Sequence, residues 1–136
     1  MRSFHVLAFD DVVQGTSAVY TVPGLDSTLG SVESLSICAV ASQAGGTSPT
    51  LTVQVEQGPD ERRWENRNAT AEINGVSLAT TAENVETAND GDPTGATRLA
   101  FARLRIQLGG TDPQAHLKIW VTGRGEQIQQ VPAAPA

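Results

Sequence analysis

Strict alternation of apolar and polar residues is the feature of this sequence that most limits its fold. In residues 50–56 the apolar side chains Leu51, Val53 and Val55 alternate with polar ones. Because successive side chains of a β-strand point to opposite faces, a period of two predicts a strand with one buried face. An amphipathic helix would instead repeat its apolar residues with a period of about 3.6. The segment therefore predicts a half-buried strand.

Two later segments alternate in the same way, and each has an apolar face and a mixed face. In the first, the apolar face is Ala102, Leu104, Ile106 and Leu108, and the opposite face is Phe101, Arg103, Arg105 and Gln107. In the second, the apolar face is Leu117, Ile119 and Val121, and the opposite face is His116, Lys118, Trp120 and Thr122. Because glycine weakens strands, we expect Gly109-Gly110 to end the first strand and Gly123 with Gly125 to end the second.

Weaker patterns complete an all-β prediction. They predict strands at residues 4–9, 18–22 and 33–41, and one or two short strands around Asn74-Gly75, a dipeptide that favours hairpin turns. We expect loops at residues 43–48, 57–62 and 88–96. Glycine and proline interrupt every candidate helix. The expected fold is an antiparallel β-sandwich or jelly-roll-like double sheet of about six to eight short strands.

The chain length fits one domain with one core. It has 136 residues, of which 39% are hydrophobic and 18% charged, a balance that supports folding. We expect residues 1–126 to form a single β-sandwich domain. Residues 127–136 are uncharged and contain two prolines, so we expect a flexible C-terminal tail or an arm that orders on a partner.

Charge and hydropathy exclude several classes of partner. The chain has 9 Lys and Arg against 15 Asp and Glu, a formal net charge of -6. A protein that binds a phosphate backbone needs a basic face, so we expect no nucleic-acid partner. No apolar run approaches the ~18 residues of a membrane-spanning helix, and the N-terminal apolar stretch ends at Asp10 and Asp11, too early for a signal peptide. We therefore expect no membrane partner.

The search for chemistry predicts no enzyme, no cofactor and no metal. His5 and His116 lack metal-ligand spacing, and the single cysteine, Cys38, is expected to be a small strand residue. Residues 89–93, Asn-Asp-Gly-Asp-Pro, offer oxygen ligands that calcium accepts, but the same residues make ordinary turns. Glu56 with Asp60 and Glu61 would suit a glycosidase pair only if they met in the fold.

The segment at residues 46–64 carries a family resemblance. Its matching residues are Thr47, Pro49, Leu51, Val53, Val55, Asp60 and Trp64, while Glu61 stands where a turn glycine is usual. This pattern of strand, acidic turn and tryptophan resembles small β-sandwich structural proteins of tailed bacteriophages, including capsid decoration and head-associated proteins. Residues 99–108, the Gly-Gly pair and residues 117–121 resemble the closing hairpin of such proteins.

The resemblance implies a non-enzymatic virion subunit. Such a subunit oligomerises and binds the shell to reinforce it, so its partners are other copies of itself and a major capsid or other virion protein. It is expected in the virion, and in the host cytoplasm during assembly.

Aromatic residues on outward faces indicate where such contacts form. Phe101 and Trp120 lie on the mixed faces of their strands, which are covered either by a subunit interface or by a small second core. The interface candidates are therefore Phe101, Trp120, Arg103 and Arg105. The two arginines are included because their planar guanidinium groups pair with carboxylates. Leu51, Val53, Val55 and Trp64 are the expected residues of the core hairpin. The alternative is a carbohydrate-binding β-sandwich module in which exposed Trp64 or Trp120 stacks on a sugar.

Overall fold

The protein is an all-β double sheet. A computed structural model describes residues 2–21, 34–58, 65–66, 72–89 and 101–125, and within these residues every regular element is a strand. The strands are β1 (Arg2–Gln14), β2 (Val19–Tyr20), β3 (Ser34–Gly58), β4 (Glu65–Asn66), β5 (Ile73–Ser77), β6 (Asn84–Asn89) and β7 (Phe101–Gly125). The predicted fold class is confirmed, although β3 and β7, at 25 residues each, are far longer than expected.

The two long strands form the centre of the fold. They pair antiparallel along their whole length, with Gly58 opposite Phe101 at one end and Ser34 opposite Arg124 at the other. On the outer side of β7, β1 pairs with residues 114–125 and β2 with residues 105–106. On the outer side of β3, β6 pairs with residues 36–41, and β5 and β4 pair with residues between 50 and 57. All pairs are antiparallel.

The long strands therefore have different neighbours in their two halves. We call the first sheet β1, residues 114–125 of β7, residues 34–42 of β3, and β6. We call the second sheet β2, residues 101–109 of β7, residues 50–58 of β3, β5 and β4. One hydrogen-bonded network connects them, because β3 and β7 pass from one sheet into the other.

Backbone geometry marks the bend between the sheets. The register between β3 and β7 shifts three times between Ser42 and Thr50. Positive φ angles in this region occur at Gln43, Gly46, Ser48, Gly110 and Asp112. A Cβ atom on Gly46 would lie 2.5 Å from the Asp112 carbonyl oxygen, and one on Gly110 would lie 2.7 Å from the Ser48 carbonyl oxygen. Both positions therefore require glycine.

Three local predictions were wrong at this bend. Residues 43–48 are part of β3 and not a loop, and Gly109-Gly110 do not end a strand, because β7 continues through them. Residues 101–108 and 117–121 do not form a hairpin, since both pair with β3. The glycines allow the backbone to turn from one sheet into the other while hydrogen bonding resumes on the far side.

One core lies between the sheets. The inward side chains of the long strands are almost completely buried, and they are Ile37, Ala39, Ala41, Leu51, Val53, Val55, Leu104, Ile106, Leu108, Leu117, Ile119 and Val121. They belong to a single hydrophobic cluster, to which β1 adds Val13 and β5 adds Ile73. Each fully buried Leu, Ile or Val contributes about 1.5–3 kcal/mol relative to exposure. The alternation in the sequence thus corresponds to the inner faces of a sandwich.

The shorter strands also differ from expectation. β1 continues through Asp10 and Asp11, with an irregularity of register between Leu7 and Phe9. Asn74 and Gly75 lie inside β5 and not at a hairpin turn, and the Gly75 amide donates to the Thr52 hydroxyl at 3.0 Å.

Candidate functional site

The outer face of the first sheet carries an apolar row. Across the four neighbouring strands β1, β7, β3 and β6, one row of side chains consists of Leu7, Trp120, Cys38 and Thr87 in that order. Side chains that are directly opposite on one face are close neighbours. Leu7 is 43% exposed, and Trp120 and Cys38 are half-buried. The row therefore presents two large apolar side chains beside the cysteine.

The adjoining rows extend this surface. Asp10, Lys118, Val40 and Val85 make one row, and Val12, His116 and Ser42 make the next. Val12 and Val85 are 53% and 59% exposed. We call the outer face of the first sheet the apolar face, and its apolar residues are Leu7, Val12, Cys38, Val40, Val85 and Trp120. Six such residues on one outer face exceed the isolated exposed residues that are normal on a surface.

Polar groups on the apolar face are paired with one another. His116 Nε2 lies 2.7 Å from Asp10 Oδ1, and His5 Nδ1 lies 2.7 Å from the Thr122 hydroxyl. Lys118 is exposed between Asp10 and Val40. The face thus has an apolar centre with one acidic and one basic side chain beside it.

The outer face of the second sheet is different in character. Tyr20 of β2 is opposite Arg105 of β7, which is opposite Gln54 of β3. Gln54 Nε2 donates to Glu72 Oε1 at 2.7 Å, so a fourth chain segment continues the row. Arg103 and Glu56 are opposite each other in the next row. We call these six residues, Tyr20, Gln54, Glu56, Glu72, Arg103 and Arg105, the polar face.

Arg103 organises one end of the polar face. Its Nε donates to Glu56 Oε1 at 2.9 Å, and its guanidinium carbon lies 3.9 Å from the centre of the Tyr20 ring. The Arg103 and Glu56 side chains are only 22% and 15% exposed, so solvent screens this pair less than an ordinary surface pair. The guanidinium stacked on the Tyr20 ring favours this orientation of the ring.

The position of Tyr20 also depends on the next residue. Thr21 is buried; its amide donates to the Leu104 carbonyl at 3.1 Å, and its hydroxyl accepts from the Leu104 amide at 2.9 Å. These two hydrogen bonds attach the short strand β2 to β7. The sequence pattern contained a strand there, but nothing in it indicated that Thr21 anchors it.

The predicted interface residues do not lie together. Trp120 lies on the apolar face, whereas Arg103 and Arg105 lie on the polar face of the other sheet. Phe101 begins β7, and its side chain lies outside the described residues, as does all of Trp64. The predicted core residues Leu51, Val53 and Val55 are buried in the second sheet. Leu7, Val12, Val85 and Tyr20 were missed, because only strand pairing shows which face they share.

The described residues contain little that suggests catalysis. No three His, Cys, Asp or Glu residues among them are placed to hold a metal ion. Glu56 is paired with Arg103, while Asp60 and Glu61 lie outside the described residues, as do residues 90–93 of the calcium candidate. Within the same part of the chain, no helix is long and apolar enough to cross a membrane.

Comparisons with known proteins identify the fold and not a family. No protein-family model matches the chain, and no curated protein matches its sequence. Two solved structures of the VP2 protein of infectious bursal disease virus are similar, both with a TM-score of 0.57. One, in T=1 particles, is 16% identical over 91% of this chain and 32% of that chain. The other, in a subviral particle, is 15% identical over 93% of this chain and 33% of that chain.

A third similar structure comes from a different class of protein. It contains the CBM22-1 and GH10 modules of a Clostridium thermocellum endo-1,4-β-D-xylanase, complexed with xylohexaose. It is 13% identical over 96% of this chain and 26% of that chain, with a TM-score of 0.52. The chain spans at most about a third of these proteins. At such low identity they share its fold alone, and that fold is the β-sandwich type found in a viral capsid protein and in a xylanase structure.

Proposed function

We propose that this protein is a non-enzymatic structural subunit of a virus particle, and that it associates with copies of itself through the apolar face. The apolar face is the observation that carries the proposal. Leu7, Val12 and Val85 are each more than 40% exposed, and they lie beside half-buried Trp120 on the same surface. Removing such side chains from water is the main driving force of association.

The size of the apolar face is sufficient for a specific contact. The face is four strands wide, at about 4.8 Å per strand, and four rows of outward side chains long, at about 6.8 Å per row. Its projected area is therefore on the order of 500 Å². Two copies packed face to face would therefore bury roughly 1,000 Å² in total, the lower limit for a biological interface. A half-buried Trp120 near the centre is the kind of anchor that dominates interface energies.

Charge on the apolar face favours a second copy as the occupant. A two-fold contact places the same surface on both sides, so that each group meets a symmetry-related set. The face carries Asp10 and Lys118 next to each other, and a two-fold axis that passes between them would place each of them opposite the other residue of the second copy. A partner of one charge sign would not be matched in this way.

The finer assignment is a capsid decoration or head-associated protein of a tailed bacteriophage. Its support is the resemblance at residues 46–64, together with the capsid-like fold. In this role the oligomer binds a major capsid or other virion protein and reinforces the shell, and it is found in the virion and in the host cytoplasm during assembly. The interface candidates Phe101, Arg103 and Arg105 lie on β7 in the second sheet and are not part of the apolar face.

Light scattering on the purified protein tests the self-association. We expect a mass above that of one chain, and co-migration when the protein is mixed with tailed-phage heads that lack it. Val85→Lys adds a charge to the apolar face at a position 59% exposed, so it should give monomers without unfolding the protein. Asn74→Lys, exposed on the second sheet, is the matched control and should leave the mass unchanged. A wild-type protein that is monomeric and does not co-migrate with any phage head would overturn the proposal.

The second candidate function is a carbohydrate-binding module that uses exposed tryptophan. The similarity to the xylanase structure complexed with xylohexaose favours it. However, Trp120 is half-buried and lies between Leu7 and Cys38, which offer a sugar no strong hydrogen bonds. If a sugar nevertheless stacks on Trp120, the tryptophan fluorescence of the protein should change on titration with a panel of glycans. Fluorescence that does not change with any of these glycans would argue against carbohydrate binding at Trp120.

A further inference from the structure

We infer that the polar face is a binding site for a short neutral oligosaccharide. This site lies on the second sheet, on the opposite side of the sandwich from the apolar face. It therefore goes beyond the proposed self-association and does not depend on it. It also does not use Trp120, which lies on the apolar face. The inference comes from one row of residues: strand register places an aromatic ring, a cation and an amide side by side, and a hydrogen bond adds a carboxylate.

Tyr20 supplies the apolar part of the site. The C–H groups on one face of a pyranose ring pack against an aromatic face, and tyrosine offers such a surface with few rotatable bonds. Tyr20 is 42% exposed, and the Arg103 guanidinium covers one face of its ring at 3.9 Å. Because Tyr20 is 42% exposed, part of its ring is accessible to a ligand. Because Glu56 holds Arg103 and buried Thr21 holds β2, the ring is oriented before a ligand arrives.

The remaining row supplies hydrogen bonds of both kinds. Sugar hydroxyls donate and accept, so a site for them needs donors and acceptors close together. Arg105 is half-buried and has no ion pair within the described part of the chain, so its N–H groups are available. Glu72 accepts from Gln54 with one oxygen, and its second oxygen can accept from a hydroxyl. From β2 to β5 the row spans about 14 Å, the length of more than one sugar ring.

Charge decides between a neutral and an acidic ligand. The polar face contains two cations, Arg103 and Arg105, and two carboxylates, Glu56 and Glu72, so its local charge balances. The whole chain has a net charge of -6, which repels anions. An acidic sugar or an acidic peptide would gain a contact with Arg105 and meet Glu72 two strands away. A neutral ligand gains the hydrogen bonds without that repulsion.

Isothermal titration of the full chain with xylohexaose and with cellohexaose tests the inference. We expect saturable binding of at least one of them. Arg105→Gln removes a charged donor and should weaken binding by about tenfold or more, since hydrogen bonds to charged groups contribute about 1.5–3 kcal/mol. Tyr20→Ala should abolish detectable binding, whereas Tyr20→Phe keeps the ring and should bind within about threefold of wild type. Glu83→Gln, at an exposed position outside both faces, is the control and should bind like wild type, while Trp120→Ala reports on the apolar face.

The outcomes separate this site from its competitors. Because Arg105 has no ion pair among the residues that the structure describes, the Arg105→Gln protein should keep the wild-type unfolding midpoint, so a loss of binding there is a loss of contact. No binding of either hexasaccharide, or binding that Arg105→Gln and Tyr20→Ala leave unchanged, would overturn the inference. Tighter binding of a polyglutamate peptide than of either sugar would also overturn it, in favour of an acidic protein partner. Loss of binding in Trp120→Ala alone would place the sugar on the apolar face.

Discussion

The two outer faces of this sandwich are built from the same two strands and yet differ in chemistry. On the first sheet, β7 contributes Trp120 to a surface with Leu7 and Val85. On the second sheet, the same strand contributes Arg103 and Arg105 to a surface of polar groups, of which Arg103 is paired with Glu56. The difference shows that one long strand can serve two surfaces when a bend separates them. An apolar outer face favours association, and a balanced polar one favours a hydrophilic ligand.

The largest loss of stability should come from substitutions in the shared core, and we expect it to be similar in the two sheets. Leu104 in the second sheet and Leu117 in the first are both fully buried. Leu104→Ala and Leu117→Ala should each lower the free energy of unfolding by about 2–5 kcal/mol, because each leaves a cavity in one common core. Chemical denaturation measures this.

The control for the core prediction is cooperativity. Both variants should retain one unfolding transition when it is followed by tryptophan fluorescence and by circular dichroism. Two separate transitions, or a large effect in one sheet only, would mean that the sheets are independent units and that the comparison is between two domains.

The next largest loss of stability should come from a substitution at the bend that separates the two faces. Gly46→Ala places a Cβ against the Asp112 carbonyl oxygen at a φ of 98°, and it should cost about 3 kcal/mol or more in stability. Gly75→Ala is the matched control: its φ is also positive, at 59°, but nothing lies within 4 Å of the added atom. It should cost only about 1–2 kcal/mol, the cost of a left-handed backbone for a residue with a Cβ. Thermal unfolding of both variants measures the difference, and equal costs would contradict the tight approach of β3 and β7.

The smallest effects should distinguish the hydrogen-bonded side-chain pairs of the two faces. A double-mutant cycle on Glu56 and Arg103, with alanine at each position, should give a coupling near 1 kcal/mol, because the pair is largely shielded from water. The same cycle on Asp10 and His116 of the apolar face should give a few tenths of a kcal/mol, because that pair is 43% and 33% exposed. If the second coupling is the larger one, the polar face is not the better organised surface.

Local patterns allowed the inner faces to be predicted, because burial imposes a period of two on any half-buried strand. Leu51, Leu104 and Leu117 could each be assigned an inward direction from their neighbours alone. The bend could not be predicted, since Gly109-Gly110 looks the same in sequence whether it ends a strand or turns it. The same limit applies to the candidate site. Trp120 and Arg105 were both found on outward faces, but their separation onto two sheets depends on the bend.

The sequence by itself determined the fold class, the inward face of each alternating strand and the acidic balance of the chain. These properties depend on nearest neighbours or on composition, so they can be read without a partner strand. Only the tertiary structure decided which residues share an outer surface. Leu7 meets Trp120, and Tyr20 meets Arg105, across about 113 and 85 residues of chain, because strand pairing brings them into register. Contacts of that kind leave no local period in the sequence, and they define both faces.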